Sequence, residues 1–117
     1  MAKILLVGYS KELLALRRTR LRQVGHSVTT AETLGEALRK MQSGAYDVMV
    51  LGQTVPHQQR NSLVATAKRM NPRTKVVVLY MATIDNAELA DALLDADASV
   101  EDLLQAVEYL VSLRARA

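Results

Sequence analysis

The 117 residues, half of them hydrophobic and 23% charged, suit one domain spanning 1–117 with a single core, and the absence of cysteine excludes disulfides and thiolate metal sites. The formal net charge of +3 conceals a split: residues 1–82 hold 13 Lys/Arg against 4 Asp/Glu, and residues 83–117 hold 8 acids against Arg114 and Arg116, joining a +9 portion to a −6 portion. With no stacking aromatics in a basic motif, this dipolar pattern argues against nucleic acid as a partner. Two histidines, His26 and His57, leave little for zinc, so neither metal nor cofactor is expected. No apolar run approaches the roughly 18 residues that span a bilayer, and "MAKILLVG" with its single Lys3 is too short for a signal peptide. A cytoplasmic chain without membrane contact is expected.

In chain order, "KILLV" at 3–7 predicts a short buried strand, and Ser10 caps a helix running to Gly25 as its C′ residue. "HSVTTA" is a second, β-branched strand. Thr33 with Glu36 forms a capping box opening a helix that stops near Gly44. "DVMVL" at 47–51 is an apolar run of the kind buried on both faces of a parallel sheet, and "NSLVATAKRM" is a helix closed by Asn71-Pro72. "KVVVLY" at 75–80 is the fourth strand. Asp85 with Glu88, and Ser99 with Asp102, open two more helices, the last with an apolar stripe at Leu103, Leu104, Val107, Leu110 and Val111. The one irregularity is 85–98, where a helix, a loop and a fifth strand share about 14 residues and "ALL" at 92–94 is the only strand candidate. Strands alternating with helices mean βαβ units, a parallel sheet and helices on both faces.

Within the first helix, Lys11, Arg18 and Arg22 lie within about 40° of one another at about 100° per residue, forming one solvated face. Arg17 instead falls inside the stripe of Leu13, Leu14, Leu21 and Val24. Either its stem packs while its head snorkels, or it pairs with an acid of the last helix such as Glu108. Ser10 and Ser99 read as caps rather than nucleophiles, and His57 as a loop histidine.

These segments together resemble the receiver domain of bacterial response regulators over essentially the whole chain. "KILLVGYSKELLALRRTRLRQVGHSVTTAETLGEAL" is similar to that family's first half, "YDVMVLGQTVP" to its third strand and following proline, and "ALLDADASVEDLLQAV" to its fifth strand and last helix. The resemblance implies a flavodoxin-like (βα)5 doubly wound sheet with strand order 2-1-3-4-5 and a shortened fourth-helix and fifth-strand region. It also implies where chemistry belongs, and there the residues differ. The family's pair of Mg²⁺-binding acids falls on Gly8 and Tyr9, its phosphoacceptor aspartate on Gly52, its Ser/Thr on Tyr80 and its lysine on Ala96.

An aspartyl phosphate needs a carboxylate nucleophile, and a hard divalent cation bound by protein needs oxygen ligands. Asp47 cannot stand in, since five residues at about 3.3 Å each put it roughly 16 Å away at the opposite edge of the sheet. Two readings stand open for the emptied pocket: Tyr9 and Tyr80 occupy it, or Tyr80 faces outward to meet a partner. Ser10, Thr54 and Met81 are further candidate lining residues.

The expectation is a pseudo-receiver, not an enzyme, that signals or scaffolds by protein–protein contact in a two-component-type pathway, with a weak homodimer possible. Its expected contact surface includes Lys11, Arg18, Arg22, Asp91, Asp95, Asp97, Leu104 and Glu108. The alternative is a small-molecule or nucleotide binder at the same sheet edge, using Gly8, Ser10, Gly52 and Thr54. Ending at Ala117, just past the last helix, the chain is expected to carry no output domain.

Overall fold

Side chains alternate across a strand, so a strand covered on both faces must be apolar throughout; the strands that begin at Lys3, Val48 and Lys75 meet that demand. The computed structural model describes residues 2–80, 90–95 and 98–116. Its strands are β1 (Lys3–Val7), β2 (Ser27–Ala31), β3 (Val48–Leu51), β4 (Lys75–Tyr80) and β5 (Ala92–Asp95), and its helices α1 (Lys11–Gln23), α2 (Leu34–Ser43), α3 (His57–Met70) and α4 (Val100–Arg116). All neighbouring strands run parallel in the order β2-β1-β3-β4-β5, the expected flavodoxin-like order.

Even-numbered strand residues (Ile4, Leu6, Val28, Val48, Val50) and, in β4, Val77 and Leu79 pack with Leu14 and Leu21 of α1 and Leu103, Leu104, Val107 and Leu110 of α4. The opposite face (Leu5, Val7, Met49, Leu51, Val76, Val78) packs with Ala37 of α2 and Leu63, Val64 and Ala67 of α3. Leu104, expected on a contact surface, is only 7% exposed and belongs to this core. Its place in the apolar stripe of the last helix outweighs any surface role.

Helix ends follow their local chemistry. Ser10 Oγ accepts the Leu13 N–H, and Gly25 supplies the positive φ of 99° that the chain needs just past α1. Thr33 Oγ1 accepts the Glu36 N–H at 3.1 Å, while the Glu36 carboxylate reaches Glu32 N rather than that of the cap residue. Ser99 and Asp102 form a reciprocal box, both bonds at 3.2 Å. Helix α3 starts at His57, four residues before the expected Asn61, with Pro56 at its cap position. The added turn carries Gln58, Gln59 and Arg60, whose polarity masks the stripe, yet Arg60 is buried on the same face as Leu63, Val64 and Ala67. His57 is therefore a helix residue, not a loop one, and Arg60 Nη2 donates to its Nδ1 at 2.8 Å.

The poor strand candidate "ALL" is indeed β5, which continues to Asp95. Just before it, Asp91 accepts the Val76 N–H at 2.7 Å and pairs with Lys68 of α3. Asp91 thus fastens β5 to β4 and α3, and its carboxylate is spent internally rather than on a partner. The expected helix opened by Asp85 and Glu88, with Met81, Ala96 and Asp97, lies outside the described residues.

At the other end of the sheet β2 is an edge strand. Ser27 and Ala31 bond inward to Ala2 and Gly8, which leaves the carbonyls of Val28 and Thr30 facing outward. Arg22 Nη2 donates to Val28 O at 3.0 Å and Lys40 Nζ to Thr30 O, so a cation from each flanking helix closes an edge that would otherwise template strand addition. Arg22 therefore has a structural partner and is not simply part of a solvated face.

Candidate functional site

Parallel strands end together, and the residues just beyond β1 and β3 meet at the carboxyl edge of the sheet. Gly52 N–H donates to Val7 O at 2.8 Å, and Gly8 N–H donates to Ala31 O at 3.1 Å, which sets both glycines at the edge. Extending the alternation of β1 and β3, Gly8 and Gly52 fall on the same face as Ile4, Leu6, Val48 and Val50, the face covered by α1. Helix α1 fills both spaces. A Cβ on Gly8 would lie 3.3 Å from Leu14 Cδ2, and a Cβ on Gly52 would lie 3.0 Å from Arg17 Nη1. Leu14 and Arg17 are three residues apart, one above the other on the inward face of the helix.

The tyrosines stand elsewhere. Tyr9 continues the opposite parity of β1, packs against the core shared with α2 and α3, donates its hydroxyl to Gln59 and its N–H to Thr54 Oγ1 at 2.7 Å. Burial pushes its phenol up, which keeps it a neutral donor. Tyr80 has the parity of Val76 and Val78 and pairs in register with Asp95. Of the two open readings, the one in which both rings fill the space beside Gly8 and Gly52 does not hold: strand alternation places both across the sheet from the two glycines, and a guanidinium takes the space beside Gly52.

Arg17 itself does neither of the two things expected of it. It is only 8% exposed, so its head does not snorkel out to the surface, and Glu108 pairs instead with His26. Arg17 Nη2 donates to the neutral amide of Gln53 at 2.8 Å. Among the described residues no carboxylate meets its charge, and desolvation holds its guanidinium below the ordinary arginine value. At the amino edge, Asp47 accepts the Lys3 N–H at 2.8 Å, far from Gly52 as strand length requires.

Of the remaining candidates, Ser10 is a helix cap, and Thr54 is committed to the Tyr9 N–H. Lys11 and Arg18 line an open cleft of about 270 Å³ with Thr30 and Glu32. Asp95 ends β5 and its carbonyl accepts the Ala98 N–H. No group of three or more metal-ligating side chains occurs among the described residues.

No protein-family model and no curated protein sequence matches the chain. Solved structures do. A CheY-like response regulator receiver domain from Methanospirillum hungatei JF-1 superposes with a TM-score of 0.90 at 21% identity, covering 99% of this chain and 98% of that one. This chain has the receiver-domain fold. A receiver domain from Clostridium thermocellum gives 0.88 at 24% identity over 98% of each chain. The response regulator TrrA from Thermotoga maritima, solved in complex with Mg²⁺–BeF, gives 0.83 at 24% identity over 94% of this chain and 99% of its own. Within the receiver fold, Arg17 is the residue that sequence reasoning misplaced. Its signal was visible as a cation inside an apolar helical stripe.

Proposed function

We propose that this chain is a phosphorylation-independent, receiver-like signalling or scaffolding module that acts by protein–protein contact in a two-component-type pathway. It is not an enzyme and works in the cytoplasm. One observation supports the reading: at Gly52, where the resemblance puts a receiver's acceptor carboxylate, the adjoining space holds the Arg17 guanidinium. A fixed cation there repels Mg²⁺ and offers no nucleophile. The space that a nucleotide would need beside Gly8 and Gly52 is taken by Leu14 and Arg17, which counts against the alternative of a binder at that edge.

Incubation with Mg²⁺ and a small phosphodonor is expected to leave the intact mass unchanged, and beryllofluoride to leave the amide resonances of residues 52–56 and Tyr80 unmoved. A saturable, Mg²⁺-dependent adduct on any aspartate overturns the proposal.

A module that phosphate does not switch must act through a standing surface, and charge is the feature that distinguishes this one. Part of the split is satisfied internally, as Arg20 of α1 pairs with Glu101 of α4. Lys11 and Arg18 remain at the open cleft. Weak self-association is expected at low salt and is expected to fade by about half-molar salt, where the Debye length is only a few Å. Arg18→Glu should weaken it. Sedimentation at two salt concentrations decides the point: a dimer insensitive to salt and to Arg18 would shift the interface to the exposed apolar residues Leu93 and Tyr109, 39% and 63% exposed.

A further inference from the structure

Beside the Arg17 guanidinium lies a cavity of about 110 Å³ bounded by Leu13 and Leu16 of α1, Gln53, Ser99 and Leu103. Three facts about it converge. Arg17 is more than nine-tenths buried, and the described residues give it one neutral amide and no carboxylate. The cavity also reaches the first turn of the 17-residue helix α4, where the capping box of Ser99 and Asp102 uses their two N–H groups and leaves those of Val100 and Glu101. An anion is favoured at such a terminus when a second positive group faces it. Both acids of that turn are engaged, Glu101 with Arg20 and Asp102 with the Ser99 N–H. Finally, six of the nine lining residues are aliphatic, four of them leucine, and Leu16 is half exposed at the rim.

We propose that this cavity binds a carboxylate carried on a short aliphatic stem, with Arg17 as its counter-ion and the leucine walls receiving the stem. The proposal rests on the function above only for the source of the carboxylate, which there is an acidic side chain of a protein partner. Size and polarity choose the class. At about 30 Å³ per water the space takes three or four waters, or one carboxylate with two or three carbons behind it. A planar guanidinium matches two carboxylate oxygens in fork geometry. A phosphate has no apolar stem for the aliphatic walls to receive, and its higher charge costs more to desolvate there.

The test is titration of the ¹⁵N-labelled chain with sodium butyrate, with a blocked tripeptide containing one internal glutamate, with inorganic phosphate, and with sodium chloride at matched ionic strength. Saturable shifts of the Gln53, Ser99 and Val100 amides are expected with the two carboxylates, weaker ones with phosphate and none that saturate with chloride. Tighter binding of the peptide assigns the carboxylate to a protein, and tighter binding of butyrate assigns it to a free acid. In Arg17→Met the carboxylate affinity should fall about tenfold or more, the loss of a charge-assisted hydrogen bond. Arg17→Lys, which keeps the charge and most of the stem, should bind with intermediate affinity and serves if the methionine variant does not fold. Absence of saturation by either carboxylate, a preference for phosphate, or unchanged affinity in both variants overturns the site. None of these results bears on whether the chain accepts a phosphoryl group, so the two proposals fail separately.

Discussion

Gly52→Asp is expected to be at least as stable as Gly52→Ala, although the aspartate is larger and charged and the position is buried. Both replacements add the same Cβ, which meets two neighbours. One is Val7 O at 3.2 Å, a main-chain atom fixed by the β1–β3 pairing. The other is Arg17 Nη1 at 3.0 Å, the tip of a flexible side chain. Alanine therefore costs about 1–2 kcal/mol through overpacking with nothing gained. Aspartate bears the same cost but sets a carboxylate beside a buried guanidinium that no described acid neutralises. Its charge-assisted bond offsets roughly 1.5–3 kcal/mol.

In an Arg17→Met background the order should invert, because the carboxylate would then be desolvated without a partner. Denaturant unfolding of the four-member cycle measures the coupling, expected at about 2 kcal/mol in favour of the Arg17–Asp pair. A less stable Gly52→Asp in the wild-type background, with no coupling to Arg17, would falsify the placement of the guanidinium. Gly52→Asp is not expected to take up a phosphoryl group at the new carboxylate, since Gly8 and Tyr9 supply no acid to hold Mg²⁺.

The architecture was legible because it is written locally. The β-branched runs, the Ser10 cap, Gly25 and the Ser99–Asp102 box each specify an element within a few residues, and the parallel sheet follows from their alternation. The start of α3 was not legible, because Gln58, Gln59 and Arg60 hide a buried face behind polar names. The filling of the site was half legible. Continuing the strand alternation one residue past β1 and β3 already separates Gly8 and Gly52 from Tyr9, and Tyr80 follows the same rule in β4. Arg17 stood out within its stripe. What sequence could not supply was the relative depth of α1 on the sheet, which decides whether Arg17 reaches water, Glu108 or Gly52. The partner of Glu108 was equally hidden, since His26 is 82 residues away in the chain.

That histidine carries the other large expected effect. The His26 side chain, on the residue leading into β2, is 2% exposed and lies between the N-terminal end of β1 and α4. Ala2 N–H lies 3.1 Å from its Nδ1, and an amide nitrogen can only donate, so Nδ1 must accept. The ring proton is therefore on Nε2, which donates to Glu108 Oε1 at 2.7 Å. The two bonds are unequal in consequence. Glu108 is more than half exposed, so water replaces its partner when the bond is lost. Ala2 is buried, and its N–H has no such recourse. His26→Ala is expected to cost about 2–4 kcal/mol, from an orphaned buried donor together with the cavity left by the ring. Glu108→Gln keeps an oxygen to accept from Nε2 and should cost under about 1 kcal/mol. His26→Gln should fall between them if its amide oxygen reaches the Ala2 N–H. Amide exchange gives a second readout, because Ser27 N–H bonds to Ala2 O and should lose protection in His26→Ala but not in Glu108→Gln. If Glu108→Gln proved as costly as His26→Ala, the Nε2–carboxylate bond rather than the backbone bond would be what ties α4 to the start of the sheet.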